Sequence, residues 1–185
     1  MVRSHNGVDI PDAGTFTFDH AHTVIGAVAR HLMVTKVRGH FKEYEGSITI
    51  GEDPQASSVE VTIQAASIET GNEQRDGHLR SPDFLDVETY PTLSFKSTRV
   101  AKFDGEELIL VGDLTIRGIT KEIELPVEFL GVSKAPWGSE VVGFSAAIEL
   151  DREDFGMTWN AALETGGVVV SKKLKVELEV EAVRQ

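Results

Sequence analysis

The chain has 185 residues, 41% of them hydrophobic and 26% charged, which is enough to bury one substantial core. Eighteen Lys and Arg against 30 Asp and Glu give a formal net charge of −12, the wrong sign for displacing counterions from nucleic acid or for docking electrostatically on anionic lipid. There is no cysteine, so no disulfide reports a compartment.

The opening residues, MVRSHNGVDIPDAG, lack the apolar core of a signal peptide, and no run is long enough to span a bilayer, so no stable membrane insertion is expected. This start reads as cytoplasmic; a start codon further upstream would conceal an export signal. Residues 1–13 read as a flexible segment with little to bury, ahead of a single domain over residues 14–185. Strands are predicted near residues 14–28, 37–41 and 46–50, with a turn or short helix at 31–36.

His20 and His22 stand two apart and share a face on a regular strand, so with Asp19 they are candidate metal ligands. Two imidazoles without identifiable further partners are weak grounds, and no metal site is assigned. The simpler reading has His22 and Thr23 hydrogen-bonding at a strand end. His31, just before Leu32-Met33-Val34, reads as a buried, satisfied histidine, and His40 as a surface one.

Period-two alternation then dominates. Val59, Val61, Ile63 and Ala65 alternate with polar residues, and so do Ile123, Leu125, Val127 and Phe129. Pro126 lacks a ladder donor and places its strand at an edge, bulge or rim. Further strands are predicted near 93–101 and 107–116. Val142 to Leu150 forms another stripe, and Leu174, Val176, Leu178, Val180 and Ala182 oppose Lys173, Lys175, Glu177, Glu179 and Glu181. Such strands fit a closed barrel or a sandwich, which periodicity does not separate.

Residues 67–95 break the pattern with a polar insertion, SIETGNEQRDGHLRSPDFLDVETYPTLSF. Asn72 suits a helix cap, Gln74 to Arg80 a short helix, and Pro82 the start of a further turn. Asp76 and Arg80 are spaced for a surface pair worth about 0.3–0.5 kcal/mol. His78 is within local reach of Asp76 or Asp83. An insertion of this kind suits a lid or a mouth. Ser94, Ser97 and Ser145 lie in no recognisable nucleophile motif, and no P-loop or dinucleotide fingerprint is present. Arg117 and Arg152 read as loop-fixing residues.

Four stretches in order resemble the YceI-like family of lipocalin-like lipid-binding proteins: Asp19 and His22-Thr23 with the run from Arg30 to Gly39; the 67–95 insertion; the run from Gly112 to Gly118; and Arg152 with Asp154-Phe155-Gly156-Met157. The resemblance implies an all-β, antiparallel lipocalin-like barrel of about eight strands, with the helical insertion near residues 72–86. It further implies no catalysis and no required cofactor. The bound ligand would be a polyisoprenoid, an isoprenoid quinone or another fatty-acid-like lipid, stored or transported in the lumen. A homodimer is left open. Relatives carry a phenylalanine at the position of Ala27 and a larger aliphatic residue at Ala29, so this lumen is expected to be wider there.

On that reading the lumen and mouth are lined by Phe16, Phe18, His22, Ile25, Ala27, Ala29, His31, Phe41, Arg75, His78, Leu79, Phe84, Phe95, Leu114, Ile116, Phe144 and Val176. The competing reading packs these apolar residues on one another as a dry core. The alternative function is a metal-dependent or other enzyme built on the first-strand histidines and the insertion helix.

Overall fold

Alternation becomes strand along most of the chain in a computed structural model, which describes residues 2–185. The elements in order are β1 (Val2–His5), β2 (Val8–Pro11), β3 (Gly14–Phe18), β4 (Val24–His31), β5 (Thr35–Phe41), β6 (Tyr44–Ile50), β7 (Ser58–Gln64), β8 (Ile68–Glu69), α1 (Glu73–Arg80), β9 (Thr92–Phe103), β10 (Glu107–Ile116), β11 (Ile119–Lys134), β12 (Glu140–Asp151) and β13 (Lys173–Arg184).

Several of these segments join into longer staves. One edge of β13 pairs first with β4, Lys175 opposite Val28, and then with β3, Ala182 opposite Phe18. β3 and β4 are therefore one long strand interrupted at residues 19–23. β5 and β6 likewise form its antiparallel partner, with Ala27 opposite Gly39 and Phe16 opposite Ile48. β7 and β8 continue that pattern. The staves run as an up-and-down meander, and β13 also pairs with β12 from Val141–Val183 to Asp151–Lys173. This last pairing closes an eight-strand antiparallel barrel, as expected.

Pro126 sits where β11 changes neighbours. Residues 119–126 of β11 pair only with β10, and pairing with β12 begins at Val127. The missing donor thus falls at a local sheet edge, the kind of place its chemistry demands.

Two glycines let aromatic rings lie flat against the wall. A Cβ on Gly46 would fall 2.4 Å from the Phe18 ring, and one on Gly112 would fall 2.6 Å from the Phe95 ring. Any side chain there would push its ring into the interior.

The two ends differ. At one end β1 and β2 form a hairpin whose turn, Asn6-Gly7, has positive φ at both residues. Ile10 is buried beneath it, His5 stacks on Phe103 at 5.4 Å, and the Arg3 guanidinium holds the Gly51 and Glu52 carbonyls. The opening residues were expected to have little to bury; Ile10 is instead buried, because the barrel end gives it an apolar surface. Arg184 stands 4.6 Å over the Phe16 ring and donates to Glu140 at 2.8 Å and to the Asp12 carbonyl at 2.9 Å. Phe16 is fully buried in this floor. Replacing it with alanine should remove about 3–5 kcal/mol of stability, read as a fall in the urea midpoint with an unchanged slope; a loss under 1 kcal/mol would mean the floor relaxes to fill the gap.

Candidate functional site

The barrel encloses a cavity of about 800 Å³, within the range of small-molecule sites. Its wall is aliphatic and aromatic. The closed end is lined by Ile10, Pro11, Phe103 and Leu108; the middle by Phe41, Phe95, Leu114, Phe144 and Val176; and one side by the small residues Gly26, Ala27, Ala29 and Gly39. Ala27 borders the cavity between Val176 on β13 and Gly39 on β5, so neither lateral neighbour places a ring beside it.

The open end is built from connections. The 70–91 segment crosses it, with α1 as its central part. Asn72 caps α1 by accepting from the Arg75 N–H at 2.9 Å. The helix has few apolar side chains, and polar bonds anchor it. Asp76 is buried and accepts from the Thr70 N–H at 2.9 Å and the Thr70 hydroxyl at 2.6 Å. Arg75 donates to the same threonine, and Arg80 donates to the carbonyls of Ala66 and Ile68. The predicted Asp76–Arg80 surface pair does not form, because each side chain has a backbone partner on the barrel rim.

An aromatic cluster sits at this mouth. His78 meets Phe84 at 5.0 Å and Trp159 at 4.6 Å, both edge-on, and Phe84 and Trp159 lie 5.5 Å apart. The His78 ring also bonds Asp83 at 2.8 Å. Arg152, only 1% exposed, stands 5.9 Å from the Phe84 ring. Burial pulls its guanidinium below the ordinary arginine value, opposed by the charges of Glu153 and Asp151. It holds the 157–171 segment through the carbonyls of Met157 and Ser171, and Arg117 similarly holds Gly156.

Most predicted site residues border the cavity: Phe18, Ile25, Ala27, Ala29, His31, Phe41, Arg75, His78, Leu79, Phe84, Phe95, Leu114, Ile116, Phe144 and Val176. Phe16 does not; it belongs to the floor beneath Arg184. His22 does not either. Residues 19–23 form a turn rather than a regular strand, so His20 and His22 do not share a strand face. His20 stacks on Tyr44 at 4.7 Å, while His22 points outward to Asp19. His31, expected to be buried, is exposed at the rim beside Val170.

Trp159 and Met157 were missed, since they lie in a segment without periodicity; Ile10 and Pro11 were missed because the Asn6-Gly7 hairpin signal was passed over. The serines serve the frame. Ser97 accepts from the Val59 N–H, and Ser145 donates to Glu179.

The Asp19, His22 and Glu181 side chains form the histidine–carboxylate trio with ligating spacing among the described residues. Hydrogen bonds account for it. His22 Nδ1 bonds Asp19 at 2.7 Å and approaches Glu181 at 3.5 Å. Beside it, the Thr23 hydroxyl donates to the Glu181 carbonyl at 3.0 Å, and the Tyr44 hydroxyl donates to the Thr23 carbonyl at 2.9 Å. The trio staples the break between β3 and β4 to β13.

A model of the YceI-like domain matches residues 16–182. The chain belongs to the YceI-like domain family. This YceI-like protein is 41% identical over 169 residues to a UPF0312 protein of Staphylococcus aureus, covering 90% of this chain and 95% of that one. The crystal structure of a Campylobacter jejuni YceI protein superposes with a TM-score of 0.72 at 34% identity, over 84% of this chain and 90% of the other. A polyisoprenoid binding domain from Saccharophagus degradans, implicated in plant cell wall breakdown, shares the fold with a TM-score of 0.70 at 16% identity, over 92% and 98% of the two chains.

The staple makes stability depend on pH. The Asp19 hydrogen bond, aided by the Glu181 and Asp19 charges, raises His22 above its ordinary 6.5. The His22 bond and the Ala21 N–H hold Asp19 below 3.8. His22 therefore contributes fully below pH 6.5 and loses its contribution as pH rises through its raised value; Asp19 contributes above 3.8 and loses its contribution as pH falls. His22→Asn should lower the urea midpoint at pH 5.5 and approach wild type at pH 8.5. A midpoint difference that does not change with pH would contradict the assignment.

Proposed function

We propose that this YceI-like protein binds a long apolar chain inside its barrel, a polyisoprenoid, the tail of an isoprenoid quinone or a fatty-acid-like lipid, and stores or carries it without covalent chemistry. The single observation that carries this reading is the 800 Å³ lumen, walled by aliphatic and aromatic side chains and open at one polar end. A dry core would fill that space, since interiors otherwise pack to crystal-like density. The polyisoprenoid binding domain with the same fold supports the class of ligand.

Each buried methylene gives about 0.8 kcal/mol. A tail of ~40 carbons would give ~30 kcal/mol gross, beyond the practical ceiling of roughly 18–21 kcal/mol. Ordering the tail and leaving part of it uncovered offset much of this. Enough remains for the lipid to survive purification. Solvent extraction and mass spectrometry of the purified protein should recover a long apolar molecule near one per chain; an extract without one, from protein expressed in its native host, would count against the reading.

Ala27 gives a sharper test. Ala27→Phe should place a ring in the space between Val176 and Gly39 and displace the bound tail. The variant should lose its co-purified lipid, while its lipid-free form is no less stable than lipid-free wild type. Full lipid loading in Ala27→Phe would show that the tail does not pass this point.

A further inference from the structure

The acidic chain keeps carboxylates away from its cavity. Among 30 Asp and Glu and 18 Lys and Arg, the ionisable side chains that border the lumen are Arg30, Arg75, Arg152, His31 and His78. None is a carboxylate. All five lie at the mouth, where a lipid head would sit.

Arg152 is the unusual one. It is 1% exposed, and its partners are backbone carbonyls: Ser171 at 2.9 Å from Nε, Met157 at 2.5 Å from Nη1, and Val170 at 3.5 Å from Nη2. Carbonyls satisfy donors but do not neutralise a charge. The guanidinium has five N–H groups, so donors remain after these three contacts. The acidic residues on either side are engaged elsewhere, since Lys172 pairs with Asp151 at 3.4 Å and with Glu153 at 2.9 Å. Among the described residues Arg152 makes no ion pair. Burial of this cation, only partly opposed by the nearby charges of Glu153 and Asp151, is costly, and an anion arriving through the lumen would offset that cost.

The other cations add to the bias. Among the described residues the Arg75 side chain donates only to Thr70, and that of Arg30 reaches only the Val34 carbonyl at 3.4 Å. A low-dielectric wall strengthens the attraction of such groups for an anion, and arginine matches phosphate and carboxylate oxygens two at a time.

We propose that the lumen selects lipids with an anionic head, phosphate or carboxylate, and that Arg152 is the group that holds it. This rests on the lipid-binding reading above and adds the chemistry of the head.

The test uses four ligands with one tail: hexadecyl phosphate, hexadecanoate, hexadecanol and hexadecylammonium. Delipidated Trp137→Phe protein serves as the host. Trp137 is 78% exposed, and its removal leaves Trp159 at the mouth as the single tryptophan reporter. At least one anionic ligand should bind about tenfold or more tightly than the alcohol, as expected for a charge-assisted contact, and the ammonium should bind most weakly. Arg152→Met should reduce the anion preference, taken as the ratio to hexadecanol in the same variant, to about threefold or less, and Arg152→Lys should restore part of it.

Equal affinity for anion and alcohol in the unsubstituted site overturns the proposal and leaves lipid binding standing. An undiminished preference in Arg152→Met overturns the role of Arg152. Failure of all four ligands to bind overturns the lipid-binding reading itself. If Arg152→Met does not fold, the ranking of the four ligands, with Arg152→Lys beside it, still decides.

Discussion

The pairing of β13 on both its edges is the constraint on which the rest of the molecule depends. One edge runs along β12 for eleven residue pairs, and the other meets β4 and then β3. Without that second edge the chain would be an open, strongly twisted sheet with two unpaired margins. With it, every inward residue faces another wall, and the apolar stripes of eight staves enclose one space. The alternation in β13 is accordingly strict: Leu174, Val176, Leu178 and Val180 face the lumen while the lysines and glutamates between them face water.

Closure alone does not decide whether a barrel is filled or hollow. Here small residues face each other where β4 and β5 pair, and rings lie flat over Gly46 and Gly112 instead of reaching into the centre. The interior volume is therefore a consequence of where glycine and alanine fall on adjacent strands. The ends then set direction. One is sealed by the β1–β2 hairpin, Phe16 and the Arg184–Glu140 pair. The other is spanned by a short helix held by polar bonds to the rim, with an aromatic cluster and a buried arginine beside it. A long apolar chain would enter tail first and leave its polar end at the side where donors are concentrated.

The break in the first strand shows how local chemistry serves the closure. A strand long enough to pair with β13 along its whole length must bend as the barrel curves. The chain bends at residues 19–23. Asp19 accepts from the Ala21 N–H and bonds His22, while Thr23 exchanges hydrogen bonds with the Glu181 backbone. The groups that look like the beginnings of a metal site are thus engaged in keeping a bent strand attached.

By itself the sequence determined the strands, the capped helix and the acidic exterior, because these follow from periodicity and from short-range capping chemistry that neighbouring residues carry between them. The Asn6-Gly7 hairpin was equally local, and its signal lay in the sequence. Periodicity left barrel and sandwich open and the family resemblance pointed to the barrel, which the closure by β13 bears out. Only the tertiary structure decided the rest. It placed Phe16 in the floor instead of the lumen. It turned His22 outward, and it brought Trp159, Arg152, Phe84 and His78 together from segments about 80 residues apart in the chain. Such placements depend on the register and curvature of strands distant in sequence: a turn that shifts the inward parity by one residue reverses which side chains face the cavity, and no local pattern encodes which distant partner a side chain will meet.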